Sequence, residues 1–444
     1  MAVPVSHDSK ILIVGGGTWA CSTALHLVRR GYSNVTVLDA HPIPSAISAG
    51  NDVNKIAELA SPTQGDDPES VAQAAAAAAA DGWLHDPVFS PYYHDTGFIV
   101  SGSSLDALKH VIESEIRGRE QEYTKLDSAD AFRACMPKGV LTGEFPRWKG
   151  WYKSKGAGWV HARKALVSAY TEAKRLGATF ITGSPQGEVV SLLRNDGDIR
   201  GAKTADGLEH IAHRTILAVG ASATQLLDFE NQLRPTAWTL GHIKMTQEEA
   251  QLYKNLPVLF NVEKGFFMEP DEDKHELKIC DEHPGYCNWV TQSGSDIPKS
   301  IPFAKQQVPL DSEQRIKQFL SETMPHLADR PLVHARICWC ADTRDRGFLI
   351  TYHPSHPSLV IAAGDSGHGF AHIPSIGGYI SDCLEGKLEE RFARQWRWRP
   401  EIAKGFWGKD PLDRFGAGRE VMDLPPPSAE GRWTHIKRES DGGT

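Results

Sequence analysis

"KILIVGGGTWACSTALHLVRRGYSNVTVLDA", residues 10–40, reads as one β–α–β unit and sets the class of the chain. The run from Ile11 to Val14 is continuously apolar, as a strand buried on both faces must be. A glycine turn follows. Apolar residues then recur at helical spacing (Ala20, Ala24, Leu25, Leu27, Val28), Gly31 stops the helix, and a second strand ends in Asp39. Gly15, Gly17 and Ala20 fill the pattern G-x-G-x-x-G/A between strand and helix. The first glycine permits a tight turn, the second lets backbone approach a pyrophosphate, and the small third residue lets helix and strand pack closely. The helix N-terminus offers free N–H groups to phosphate, and Asp39 is placed to accept from a ribose diol.

A second strand–glycine turn–helix, "SLVIAAGDSGHGFAHIPSIGGYISDCLEG", lies far away at 358–386. Two nucleotide-sized features from distant segments suit a buried FAD better than a releasable nicotinamide. Between them, "HARKALVSAYTEAKRLGATFITG" predicts a helix and a strand, Asn195 to Asp198 a hairpin turn, and "HRTILAVGAS" a buried strand. The Asp-Pro start and alanine run of 66–90 predict a helix, and "DALKHVIESEIRGREQEY" predicts another. The expected fold is therefore α/β: a discontinuous Rossmann-like FAD-binding domain (8–60, 155–228, 335–400) and a second α+β substrate domain around a mixed sheet (61–154, 229–334). A C-terminal segment, 401–444, is expected to contribute to the active site.

Bulk properties narrow the partners. A net charge of -8, with Lys and Arg scattered, argues against nucleic acid or an anionic membrane. The N-terminus lacks a basic-then-apolar leader, no apolar run reaches the roughly 18–20 residues of a membrane span, and "SDGGT" is no retention or peroxisomal signal. Seven cysteines thinly spread over 444 residues do not read as a secreted disulfide framework. The expectation is a cytoplasmic monomer with a small-molecule substrate and no metal.

Two of those cysteines stand one residue apart in "ARICWCADTRDRGFLI", 335–350. On a strand, His334, Arg336, Cys338 and Cys340 share one face. A disulfide across such a pair needs a kinked chain, and zinc would need two further ligands that no nearby residue supplies. Inert thiols and a cofactor tether remain, the latter because a thiolate stabilised by Arg336 would attack an electrophilic flavin methyl carbon.

The chain resembles the fungal fructosyl amino acid and fructosyl peptide oxidases (amadoriases), a branch of the sarcosine-oxidase-like flavoenzymes. The likeness is carried by "ILIVGGGTWACSTALHL", "SAGNDVNKI" (48–56), "ICDEHPGY" (279–286), "CWCADT" (338–343), "GDSGHGF" (364–370) and "LDRFG" (412–416), in the family's order along nearly the whole chain. It implies covalent attachment of FAD through Cys338, with Thr343 closing the motif and Cys340 a bystander. Flavin contacts are implied at Gly15, Gly17, Thr18, Trp19, Asp39, Ser48, Asn51, Lys55, Val189, Asp365, Gly367, Gly369 and Phe370.

The implied reaction is oxidation of a ketoamine C–N bond by O2 to an imine, which hydrolyses to glucosone and a free amine with release of H2O2. Lys55 would assist O2 reduction, Glu282 would hold the sugar hydroxyls or the amine, and Arg414 would bind a substrate carboxylate. Related amine oxidases often carry lysine after "GHGF", where this chain has Ala371. The polar stretch 61–70, "SPTQGDDPES", has the composition of a gate that could admit glycated peptides. Other readings are an oxidase of sarcosine, pipecolate or another N-alkyl amino acid, a NAD-dependent dehydrogenase, and a flavin-binding scaffold without turnover.

Overall fold

Strand Ile11–Val14 nucleates a six-stranded sheet in the computed structural model, which describes residues 5–291, 296–403 and 405–436. It pairs in parallel with Val35–Asp39 on one side and Arg214–Leu217 on the other. Thr179–Thr182 extends the sheet beyond Val35–Asp39, and His356–Ala363 then Leu349–His353 extend it beyond Arg214–Leu217, only the last strand being antiparallel. Helices Thr18–Arg29, Ala162–Arg175 and Ile376–Leu384 pack together and bury Ala20, Leu25, Leu166 and Ile380 with the sheet residues Ile13 and Val37. Pieces from the start, middle and end of the chain thus build one α/β unit.

A nine-stranded mixed sheet forms the second layer among the described residues. Its longest strands, Leu332–Asp342, Arg234–Lys244 and Glu276–Cys287, lie side by side and antiparallel. Helix Leu310–Thr323 covers one face, where Leu277, Ile279 and Ala335 bury against Ile316 and Phe319. Strand alternation then turns Lys278, Cys280 and Glu282, and Arg336, Cys338 and Cys340, to the opposite face.

Two expectations change. Leu332–Asp342 was expected to open the third piece of the dinucleotide domain at residue 335, but its register runs along Arg234–Lys244, so it belongs to the second sheet. The expected 106–123 helix runs only over Leu105–Val111, widens to a π turn at Ile112–Ile116 and ends, because Gly118 takes the left-handed φ of 80°. The alanine-rich helix spans Pro68–His85, capped by Asp67, whose carboxylate accepts from Ser70 N at 3.0 Å. The expected C-terminal segment is described to residue 436; 437–444 lie outside the described residues.

Candidate active site

The first glycine turn leaves a phosphate-sized opening. A Cβ at Gly15 would lie 2.5 Å from Ala218 O, and φ is 103°, so only glycine serves there. At Gly17 a Cβ would meet nothing closer than Ser48 Oγ at 3.8 Å, so the space beside that backbone is open. The helix beginning at Thr18 has neither a side-chain cap nor an acid in its first turn, and its N–H groups remain for an anion. Asp39 accepts from Gly16 N at 2.7 Å and His41 N at 2.8 Å, each oxygen keeping a lone pair for a ribose hydroxyl. Val189 starts its strand just past Gly187, where a Cβ would strike Asp39 O. These residues fit the adenosine and pyrophosphate half of FAD.

The second glycine turn closes over the same helix. Trp19 Nε1 donates to Gly369 O at 3.1 Å, and Phe370 lies 3.4 Å from where a Gly50 Cβ would stand. Asp365 accepts from Ala341 N and Gly367 N, tying this turn to the end of the cysteine strand. Its carboxylate therefore shapes the loop rather than facing a ligand alone. Asn51 is held from both sides, accepting from Arg163 Nε at 2.8 Å and donating to Ser45 O at 3.0 Å.

Between the two turns sits a buried charge cluster. Asp52 accepts from Lys55 Nζ and from Lys278 Nζ, each at 2.8 Å, and Lys278 also donates to Asn54 O. Burial raises the Asp52 carboxyl, but Lys278, Lys55 and Arg336 outweigh it and hold the pKa well below the usual range. Burial disfavours the Lys55 ammonium, yet Asp52 overcomes this and keeps it protonated. Cys338 lies near enough to Lys55 to act on its charge. Arg336, expected to stabilise the thiolate, spends its guanidinium on Ser48 O and Asn51 O at 3.2 and 3.3 Å, so Lys55 is the further cation beside Cys338. Cys340 bonds to Thr236 O and Asp342, and burial and that carboxylate push its thiol well above the usual value. A thiol held protonated in this way is a poor nucleophile.

The substrate side lies at the far end of the same strands. Arg414 donates to both oxygens of Asp342, at 2.7 and 2.6 Å, and to Ser366 O at 3.1 Å. Its fork is thus occupied within the chain, which leaves Nε–H and one Nη1 hydrogen for a ligand. Its guanidinium lies 5.0 Å from the Trp238 ring centroid, and Trp238 Nε1 is buried without a partner. Glu282 shares this space with Arg414 and Arg346, and burial, against those charges, raises its pKa to about 8.

That shift has a direct consequence. The folded chain keeps the Glu282 proton up to about pH 8, while the unfolded chain releases it near 4.5. The folded state thus binds more protons within that window and loses stability there as pH rises, the cost becoming constant above it. Glu282→Gln has no proton to lose. Its stability relative to the parent, read from urea midpoints, is expected to climb between pH 4.5 and 8 and then level off.

The proposed gate is tied down over part of its length. Arg391 Nη1 donates to Thr63 O at 2.7 Å, Arg394 pairs with Asp66 at 3.0 Å, and Gln395 donates to Asp66 O at 3.1 Å. The Ala371 carbonyl accepts from Trp83 Nε1 at 2.7 Å.

Lys55 lies beside Cys338, and Glu282 beside Arg414 further along the same strands. Asp52, Lys278, Asp342, Arg346 and Trp238 were missed. Lys278 had a signal: it precedes Cys280 and Glu282 at period two. Asp52 could be read only as part of "SAGNDVNKI".

Comparison with known proteins places the chain in a family. The family model described as FAD dependent oxidoreductase matches residues 10–383. The crystal structure of fructosyl amine:oxygen oxidoreductase (Amadoriase I) from Aspergillus fumigatus superposes with a TM-score of 0.95 at 55% identity, covering 99% of this chain and 100% of that one. Amadoriase II from the same organism, a deglycating fructosamine oxidase crystallised with FSA, gives 0.93 at 51% identity, covering 98% and 99%. L-saccharopine oxidase of Schizosaccharomyces pombe is 29% identical over 412 residues, 88% of this chain and 93% of that protein.

Proposed function

The chain belongs to the FAD dependent oxidoreductases, and from that premise we propose that it is a fructosyl amine oxidase. The carrying observation is the likeness to two fructosyl amine oxidases over at least 98% of the chain at 51% identity or more, around a site whose acid and cations suit such a substrate. The reaction takes two electrons and two protons from the –CH2–NH– unit of the ketoamine; the imine then adds water and parts into glucosone and free amine. Bound FAD would supply the two-electron acceptor that links this oxidation to reduction of O2 to H2O2.

The chain's own groups divide the remaining work. Glu282, neutral at pH 7, donates a hydrogen bond to a sugar oxygen and, once ionised, accepts the proton of the substrate ammonium. Arg414, fixed by Asp342, turns its spare N–H groups to the ketose. Lys55 places a permanent positive charge, held by Asp52, where negative charge develops on O2. Residues 8–60, 155–228 and 343–400 would hold the cofactor, and the nine-stranded sheet with the segment after 400 would hold the substrate.

Cys338 is the proposed covalent tether: it shares its strand face with Arg336, lies near Lys55, and its neighbour Cys340 is locked as a thiol. Precipitating the protein with acid, washing the pellet and redissolving it in denaturant tests this. Flavin absorbance stays with the parent chain and with Cys340→Ala, and passes to the supernatant with Cys338→Ala. Release from the parent chain would contradict it.

A further inference from the structure

Arg346 is a cation in the substrate space with no hydrogen-bonded or ion-paired carboxylate of its own among the described residues. It sits in the loop between Leu332–Asp342 and Leu349–His353 at φ 57°, a left-handed conformation that an arginine adopts only at a cost. The surrounding loop is fastened: Arg399 grips Asp345 with two bonds at 2.9 and 2.8 Å and donates to Gly347 O and Phe348 O, while Thr343 Oγ1 donates to Gly347 O at 2.6 Å. Arg346 N closes the turn onto Thr343 O at 3.1 Å. The backbone that aims this side chain is therefore rigid.

The side chain it aims makes no hydrogen bond and no ion pair with the described residues. Nε is sealed from solvent without a partner, and the terminal nitrogens, also unpaired, keep some exposure. The carboxylates in reach are spent or neutral: Asp342 is gripped by Arg414, Asp345 by Arg399, and Glu282 holds its proton at pH 7. Burial and the Arg414 charge pull the Arg346 pKa below its ordinary value, outweighing the weaker pull of Asp342. Arg346 acts electrostatically both on Glu282 in the site and on His110, which packs on Phe415 at 4.8 Å. It thus stands between the catalytic acid and the helix Leu105–Val111.

We infer that Arg346 is a specificity-determining residue that binds the carboxylate of the amine half of the substrate through its free guanidinium fork. This rests on the fructosyl amine reading and refines it, because Arg414, the arginine first expected in that role, has its fork filled by Asp342. A carboxylate there supplies the missing charge and two parallel acceptors.

The test compares fructosyl-valine with fructosyl-isobutylamine, which differ only by the carboxylate, in the flavin-loaded enzyme. Arg346→Gln is expected to raise KM for fructosyl-valine about 30- to 100-fold, with kcat changed less than about threefold. The preference for fructosyl-valine over fructosyl-isobutylamine, as a ratio of kcat/KM values, is expected to fall at least about tenfold, since any change in the Glu282 proton acts on both substrates alike. Arg346→Lys keeps the charge without the fork and is expected to raise KM for fructosyl-valine alone, about tenfold; it carries the comparison if the glutamine variant does not fold. Equal losses on both substrates, or an unchanged KM for fructosyl-valine, would overturn the assignment. A parent enzyme inactive on both would overturn the fructosyl amine reading and this inference with it.

Discussion

Replacing Lys55 with methionine slows the reaction of the reduced enzyme with O2 by about 100- to 1,000-fold, the usual cost of removing one preorganised group that stabilises developing charge. Asp52 fixes the Lys55 charge. Its carboxylate touches both Lys55 and Lys278, and without it the Lys55 ammonium would be discouraged by burial. The ammonium is thus a fixed charge at every working pH, held against a carboxylate that is itself buried. Stopped-flow mixing of substrate-reduced enzyme with oxygenated buffer reads this step apart from substrate oxidation. If Lys55→Met reoxidises at the parent rate and only substrate oxidation slows, the charge serves the substrate instead.

Asp342→Asn is expected to cost about 3–5 kcal/mol of stability, the range seen when one partner of a buried pair is removed. Asp342 is fully buried and accepts two hydrogen bonds from Arg414, with Arg234 at 3.7 Å. Those guanidinium groups hold its carboxyl well below the usual range, and amidation leaves both with no counter-charge. The double replacement Asp342→Leu with Arg414→Met is expected to unfold at a higher denaturant concentration than Asp342→Asn, since it removes charges on both sides of the pair. A single variant within about 1 kcal/mol of the parent would show that the pair adds little.

The dinucleotide unit was legible because its signals are local. An apolar run, a glycine turn and a helical repeat lie within thirty-odd residues, and the second glycine turn repeats the pattern. The large sheet was not, because its strands pair across long separations and their ends carry mixed apolar and polar residues. Leu332–Asp342 could be read as a strand with Cys338, Cys340 and Arg336 on one face, and that alternation holds; its partner, Arg234–Lys244, had no local mark. The substrate site follows the same division. Lys55, Glu282 and Arg414 were named through motifs, whereas the Asp52–Lys278 pair joins residues 226 apart and the Arg414–Asp342 pair residues 72 apart. Nothing local in the sequence marks Arg346; the filling of Asp342 by Arg414 and of Asp345 by Arg399 sets it apart.

The most direct test of the central claim is turnover of fructosyl-valine by the yellow enzyme, with O2 uptake, H2O2 and free valine followed together. A fructosyl amine oxidase consumes one O2 and releases one H2O2 and one valine per substrate, and leaves sarcosine and pipecolate untouched. Peroxide from sarcosine or pipecolate with none from fructosyl-valine would make the chain another secondary-amine oxidase, and the absence of O2 uptake with every amine would contradict oxidase function altogether.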